Sequence, residues 1–201
     1  VYFDDSDTDS LYLAVGSNGS WTTSKIKNDA GYYSAGQSGS SIAIDSDDGL
    51  HVSYYDRYGR DLEYAYLGMG DTSWIFTADV AGGSLNNYIG TDNSIALDSK
   101  GNPRIGFYDA SLGDLMFARC ESSCDSASSW EIRTLEEDGT MGLYVEISID
   151  QQDTTHMSYY NSSSSTINHL IVSDGPLTSR IGEVGSYHYQ VGGAASRTGS
   201  I

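Results

Sequence analysis

The chain is 201 residues long, with 28 acidic residues against 10 basic ones and a formal net charge of −18. That balance excludes nucleic acid as a default partner, because phosphate contacts need clustered Lys and Arg, and it argues equally against an anionic membrane surface. No apolar run reaches the roughly 18 residues of a membrane-spanning helix, and the length suits one domain with a real core.

In chain order, Val1-Tyr2-Phe3-Asp4-Asp5 reads as a short strand, followed by Leu11-Tyr12-Leu13-Ala14-Val15 and by a run opened by Ser-Trp over residues 21–26. A connection holding Tyr32-Tyr33 leads to the alternating stretch Ser41-Ile42-Ala43-Ile44-Asp45 and an acidic turn ending at Gly49. Next come His51-Val52-Ser53-Tyr54-Tyr55-Asp56, then Leu62-Glu63-Tyr64-Ala65-Tyr66, then a Trp-led run over 74–80. The same order returns as Ser94-Ile95-Ala96-Leu97-Asp98, Arg104-Ile105-Gly106-Phe107-Tyr108-Asp109, Leu115-Met116-Phe117-Ala118-Arg119 and residues 130–135. It returns again as Glu146-Ile147-Ser148-Ile149-Asp150, His156-Met157-Ser158-Tyr159-Tyr160-Asn161, Ile167-Asn168-His169-Leu170-Ile171 and residues 177–181, and restarts at Ser200-Ile201.

The first Ile of each copy falls at 42, 95, 147 and 201, steps of 53, 52 and 54. Each run is short, rich in β-branched and aromatic residues, and bounded by Gly, Asn, Asp or Ser, which is the strand-and-turn pattern. Four strands per unit of about 50 residues is the arithmetic of a β-propeller blade. The expected fold is therefore all-β: one propeller domain of four-stranded antiparallel blades, about four of them, either a four-bladed ring or a segment of a larger propeller. Residues 1–40 form a partial blade, further blades begin at about 41, 94 and 146, and residues 200–201 start another strand. Four full units need about 11 residues more than the chain has, and it carries neither a start Met nor a signal segment, so a mature or truncated piece is expected. Ala43, Ala96 and Ser148 mark the crowded innermost strand, and Trp21, Trp74 and Trp130 are expected to pack blade against blade.

The unit Ser-Ile-Ala-Ile-Asp-Ser-Asp-Asp-Gly-Leu-His-Val-Ser-Tyr-Tyr-Asp resembles the repeat of secreted microbial β-propeller proteins. The resemblance implies a ring-shaped extracellular domain, often one module of a larger surface protein, and implies no catalytic residue. The sialidase turn Ser-x-Asp-x-Gly-x-Thr-Trp is not met, because Ser46-Asp47-Asp48-Gly49-Leu50-His51 misplaces the Gly and lacks the Trp.

Cys120 and Cys124 flank a loop longer than its counterparts and are expected to form a local disulfide, which implies an oxidising compartment. Asn18-Gly19-Ser20 and Asn161-Ser162-Ser163 fit the glycosylation acceptor pattern. Together these predict an extracellular or cell-surface protein.

Three groups of residues are candidate sites. Asp5, Asp7 and Asp9 place carboxylates at alternate positions, and Asp45 and Asp47, with Asp48, form a second acidic turn; both could hold Ca²⁺. Asp in tight turns also caps its own backbone, the simpler reading of either cluster. Asp5, Asp56, Asp109 and Asn161 recur at strand ends, where Asp56 and Asp109 could line a ligand groove or make the same turn hydrogen bond in each blade. Tyr33, Tyr88, Tyr144 and Tyr189, in the connections between blades, would decorate one face; Tyr suits sugar stacking but also covers blade edges.

No catalytic set is legible: His51, His156, His169 and His188 stand in no metal-ligand or nucleophile motif. The expected function is a non-enzymatic binding or scaffolding module for a glycan or protein ligand at the cell surface. The alternatives are a structural subunit that assembles into homo-oligomers by strand addition and a glycoside-acting enzyme with two carboxylates in a cleft.

Overall fold

The computed structural model of the chain describes residues 1–4, 10–27, 39–82, 88–172 and 187–189. The first sheet contains β1 (Tyr2–Asp4), β2 (Ser10–Ser17) and β3 (Ser20–Lys27). The second contains β4 (Ser40–Ile44), β5 (Leu50–Asp56), β6 (Asp61–Leu67) and β7 (Ile75–Ala81). The third contains β8 (Ile89–Leu97), β9 (Pro103–Asp109), β10 (Asp114–Cys120) and β11 (Trp130–Glu136). The fourth contains β12 (Leu143–Ile149), β13 (Thr155–Asn161), β14 (Thr166–Val172) and β15 (Tyr187–Tyr189). Neighbouring strands are antiparallel throughout.

The inner strands β4, β8 and β12 lie beside one another. Successive sheets therefore stack face to face around a common inner edge, as the blades of a β-propeller. The described sheets do not close on themselves.

Each interface between blades is one apolar cluster. Leu11, Leu13 and Ile26 of the first blade meet Val52, Tyr54 and Ala65 of the second. Leu62, Tyr64 and Val80 of the second meet Ile95, Ile105, Phe107 and Trp130 of the third. Leu115 and Phe117 of the third meet Val145, Met157, Tyr159 and Leu170 of the fourth. Alternation along a strand divides the work: in β10, Leu115 and Phe117 point to the following blade while Ala118 and Cys120 point back.

Burial follows position in the stack. All seven residues of β9 are buried, whereas the equivalent strand β13 alternates, with Ser158 exposed. The third blade is covered on both faces, and the fourth on one among the described residues. At the other end the first blade has three strands, with none beside β1 on its inner edge among the described residues. Ile42 and Ile44, which would lean on that position, are 38% and 62% exposed, against 6% for the equivalent Ile95.

The blades are joined by a repeated seam. Ile89 N–H donates to the Arg60 carbonyl at 3.1 Å, and Met141 N–H to the Gly113 carbonyl at 2.7 Å. One residue on, Gly90 and Gly142 take φ of 104° and 96°. A Cβ there would stand 2.7 Å from the Leu62 Cα and 3.0 Å from the Leu115 Cα. Each glycine thus lets an incoming inner strand lie flat on the preceding blade.

Several expectations need correction. Trp130 packs at an interface, with its ring centroid 5.1 Å from that of Tyr64, and Trp74 packs against the first interface. Trp21, however, is 65% exposed, because the equivalent Trp74 and Trp130 pack back on the preceding blade and no blade precedes the first among the described residues. The strand beside β14 is β15, which includes Tyr189, a residue expected in a connection between blades; residues 177–181 lie outside the described residues. The register pairs Asp4 with Ser10 as it pairs Asp56 with Asp61, so Asp4 rather than Asp5 occupies the repeated strand-end position.

Candidate functional site

The acidic turn after each inner strand is one motif made three times. Asp45 Oδ1 accepts from the backbone N–H of Asp47 (2.9 Å) and Gly49 (2.7 Å). Asp98 Oδ1 does the same with Lys100 and Asn102, both at 2.9 Å, and Asp150 Oδ1 with Gln152 and Thr154 at 2.9 and 2.8 Å. The second oxygen accepts from the side chain six residues on: His51 at 3.1 Å, Arg104 at 3.0 Å, His156 at 3.3 Å. Asp45 is thus committed to its own turn and to His51, and the Asp47 side chain is exposed. Asp5, Asp7 and Asp9 lie outside the described residues.

The strand-end acids also hold turns. Asp56 Oδ1 accepts from Tyr58 N–H at 2.8 Å, Asp109 Oδ1 from Ser111 N–H at 2.8 Å, and Asn161 Oδ1 from Ser164 N–H at 3.1 Å. Asp56 and Asp109 are buried, 6% and 2% exposed, so neither presents its carboxylate on a face.

Among the described residues, one group of three such side chains brings its oxygens within 4.8 Å of one another: Asp56, Asp61 and Glu63. It lies between the first two blades. Lys27 of the first blade reaches it, with Nζ 2.9 Å from Asp56 Oδ2 and in contact with Glu63, which also accepts from the Tyr54 hydroxyl. Burial, then a hydrogen bond with Asp79 and the charges of Glu63, Asp79 and Asp56, pushes the Asp61 carboxyl up to about 8. Burial raises Glu63 as well, against the opposing pull of Lys27 and Tyr54.

Of the candidate tyrosines, Tyr33 lies outside the described residues and Tyr88 is half-buried, with the Arg60 guanidinium 4.9 Å from its ring centroid. Tyr144 sits in a β-bulge at φ 53°, which throws its ring outward to 70% exposure. With Tyr160, Ser158, Tyr159 and Ile167 it lines a cavity of about 350 Å³, almost wholly apolar, on the outer face of the fourth blade.

The cleft with the richer chemistry lies between the second and third blades, about 250 Å³. Tyr66 and Ile75 come from one blade, and Asn102, Pro103 and Asp125 from the other, with His51 and Tyr64 at the base. The ring centroids of Tyr66 and His51 are 4.7 Å apart. The loop after β10 forms one wall. It is closed by the Cys120–Cys124 disulfide, and the Cys124 carbonyl accepts from Trp130 Nε1 at 3.1 Å and from the Thr77 hydroxyl of the neighbouring blade. Asn102 Nδ2 donates to Asp98 and Glu121, so its amide is fixed in orientation.

His51 has both ring nitrogens engaged. Nε2–H donates to Asp45 Oδ2, and Nδ1 accepts from the Tyr64 hydroxyl at 2.7 Å. Burial lowers its pKa below the ordinary 6.5 in spite of Asp45. The unfolded chain therefore takes up that proton first on acidification, and stability is lost as the pH falls through about 6.5. Thermal melts between about pH 7.5 and 5 should show the wild type losing ground relative to His51→Gln; parallel curves would refute the assignment.

No family model matches this chain, and no curated protein matches it. Among solved structures, the Aleuria aurantia lectin in complex with Fucα1-6GlcNAc aligns with a TM-score of 0.58 and 14% identity, covering 95% of this chain and 56% of that one. A fucose lectin from Kordia zhangzhouensis in complex with methyl-fucoside aligns with a TM-score of 0.46 and 13% identity, covering 76% of this chain and 98% of that one. The former likeness establishes the fold: the chain is an all-β propeller of four-stranded antiparallel blades, spanning about half the length of the Aleuria lectin.

Proposed function

We propose that this protein is a non-enzymatic β-propeller that binds a glycan in the cleft between its second and third blades. The observation that carries this reading is the make-up of the cleft. Its apolar wall (Tyr66, Ile75, Pro103) faces a fixed amide (Asn102) and an exposed carboxylate (Asp125) across a space of about 250 Å³. A sugar ring has one apolar face and a rim of hydroxyls, and such a wall-and-rim site matches both. The fold shared with a lectin adds to the reading. The glycoside-hydrolase alternative needs paired carboxylates in an open cleft, but the close acidic trio is buried between other blades.

The disulfide Cys120–Cys124 supports an extracellular or cell-surface location, since such bonds persist in oxidising compartments. A glycan array on the purified protein tests the function. We expect binding to at least one glycan, weakened about tenfold or more by Tyr66→Ala and by Asp125→Ala, each lost contact being worth about 1.4 kcal/mol or more. Tyr144→Ala should leave it unchanged. A blank array, or binding lost only with Tyr144, overturns the assignment.

A further inference from the structure

The acidic trio has counterparts in the other blades, and they differ in kind. Asp56, Asp61 and Glu63 of the second blade align with Asp109, Asp114 and Met116 of the third and with Asn161, Thr166 and Asn168 of the fourth. In the fourth blade the set is neutral and closed by its own hydrogen bonds: Thr166 Oγ1 donates to Asn168 Oδ1 at 2.9 Å, and Asn168 Nδ2 to the Tyr159 hydroxyl at 3.1 Å. The blade geometry therefore does not require acid there.

In the second blade the three residues are 6%, 2% and 4% exposed. The ammonium of Lys27 pairs with two of the carboxylates, Asp56 and Glu63. The third, Asp61, is pressed between Gly59 and Gly82, and its fully buried Oδ1 has no hydrogen-bond partner. A buried oxygen without a donor is costly and calls for an occupant.

We propose that Asp56, Asp61 and Glu63 form a binding site for a hard divalent cation, Ca²⁺ in preference to Mg²⁺, at the interface of the first and second blades. The ligand set is all oxygen. The trio is buried, and Ca²⁺ accepts a set of protein oxygens in place of its waters more readily than Mg²⁺, which dehydrates reluctantly and demands strict octahedral geometry. Lys27 is the internal competitor. Its side chain is 27% exposed, so its ammonium can withdraw to water when the ion arrives. The site is separate from the acidic turn at Asp45 and Asp47 and independent of glycan binding.

The test is CaCl₂ titration of the chelator-treated chain, followed by thermal melting and calorimetry, with MgCl₂ in parallel. The wild type should show a saturable rise in Tm of several degrees with Ca²⁺ and a smaller one with Mg²⁺. Asp61→Asn, nearly isosteric, should fold and lose the response, whereas Asp47→Asn should keep it. Lys27→Met should melt lower than the wild type without Ca²⁺ and gain more from it, with affinity raised about tenfold as the competing charge goes. The proposal is overturned if neither the wild type nor Lys27→Met responds to Ca²⁺, or if the response survives Asp61→Asn.

Discussion

Gly90→Ala is expected to abolish folding or to lower stability by about 3 kcal/mol or more. Two costs fall on the one new methyl group. At φ 104° an L side chain is strained, and the added carbon would stand 2.7 Å from the Leu62 Cα, a backbone atom that cannot step aside. Gly142→Ala meets Leu115 in the same way, at 3.0 Å, and should be somewhat milder. Denaturant unfolding of the soluble variants measures both. A midpoint for Gly90→Ala within error of the wild type would mean that the inner strands do not lie on the preceding blades as described.

Leu62→Ala and Leu115→Ala should each cost about 2–5 kcal/mol, whereas Ile167→Ala should cost well under 1 kcal/mol. The three residues occupy one position in the repeat, at steps of 53 and 52. Leu62 and Leu115 are fully buried against the next blade, while Ile167 is 52% exposed. A sequence argument alone gives all three the same weight, so the contrast measures stacking and nothing local. Equal losses at the three positions would show that each blade is stabilised from within. Leu62 and Phe107 touch the same cluster, and their double mutant should fall short of or exceed the sum of the singles, as contacting residues do.

The fold was legible because the repeat is long and each strand lies within one copy of it. The cleft was not, because its members arrive from two copies: Tyr66 and Ile75 from one blade, Asn102 and Asp125 from the next, 27 to 59 residues later. Their meeting depends on how blades stack, which local spacing does not encode. The same holds for Lys27, which finds Asp56 and Glu63 across an interface at separations of 29 and 36 residues. His51 carried a partial signal, since it shares a slot with Arg104 and His156, all basic and all six residues after an Asp. That spacing, read as a pair, points to the hydrogen bond each one makes. Trp21 misled for a physical reason: residues in one slot of the repeat are buried unequally at the end of the described stack. Tyr189 misled because a three-residue strand is too short to show a period.

The glycine seam also bears on how such a protein changes length. Residues 90–141 begin with one flat-lying glycine and stop just before the next, so a tandem duplication cut at these points would carry a matched joint at each end. Its leucine would receive the following glycine, and its glycine would rest on the preceding leucine. Insertion of a whole copy then adds a wedge while keeping a glycine-on-leucine joint at each end.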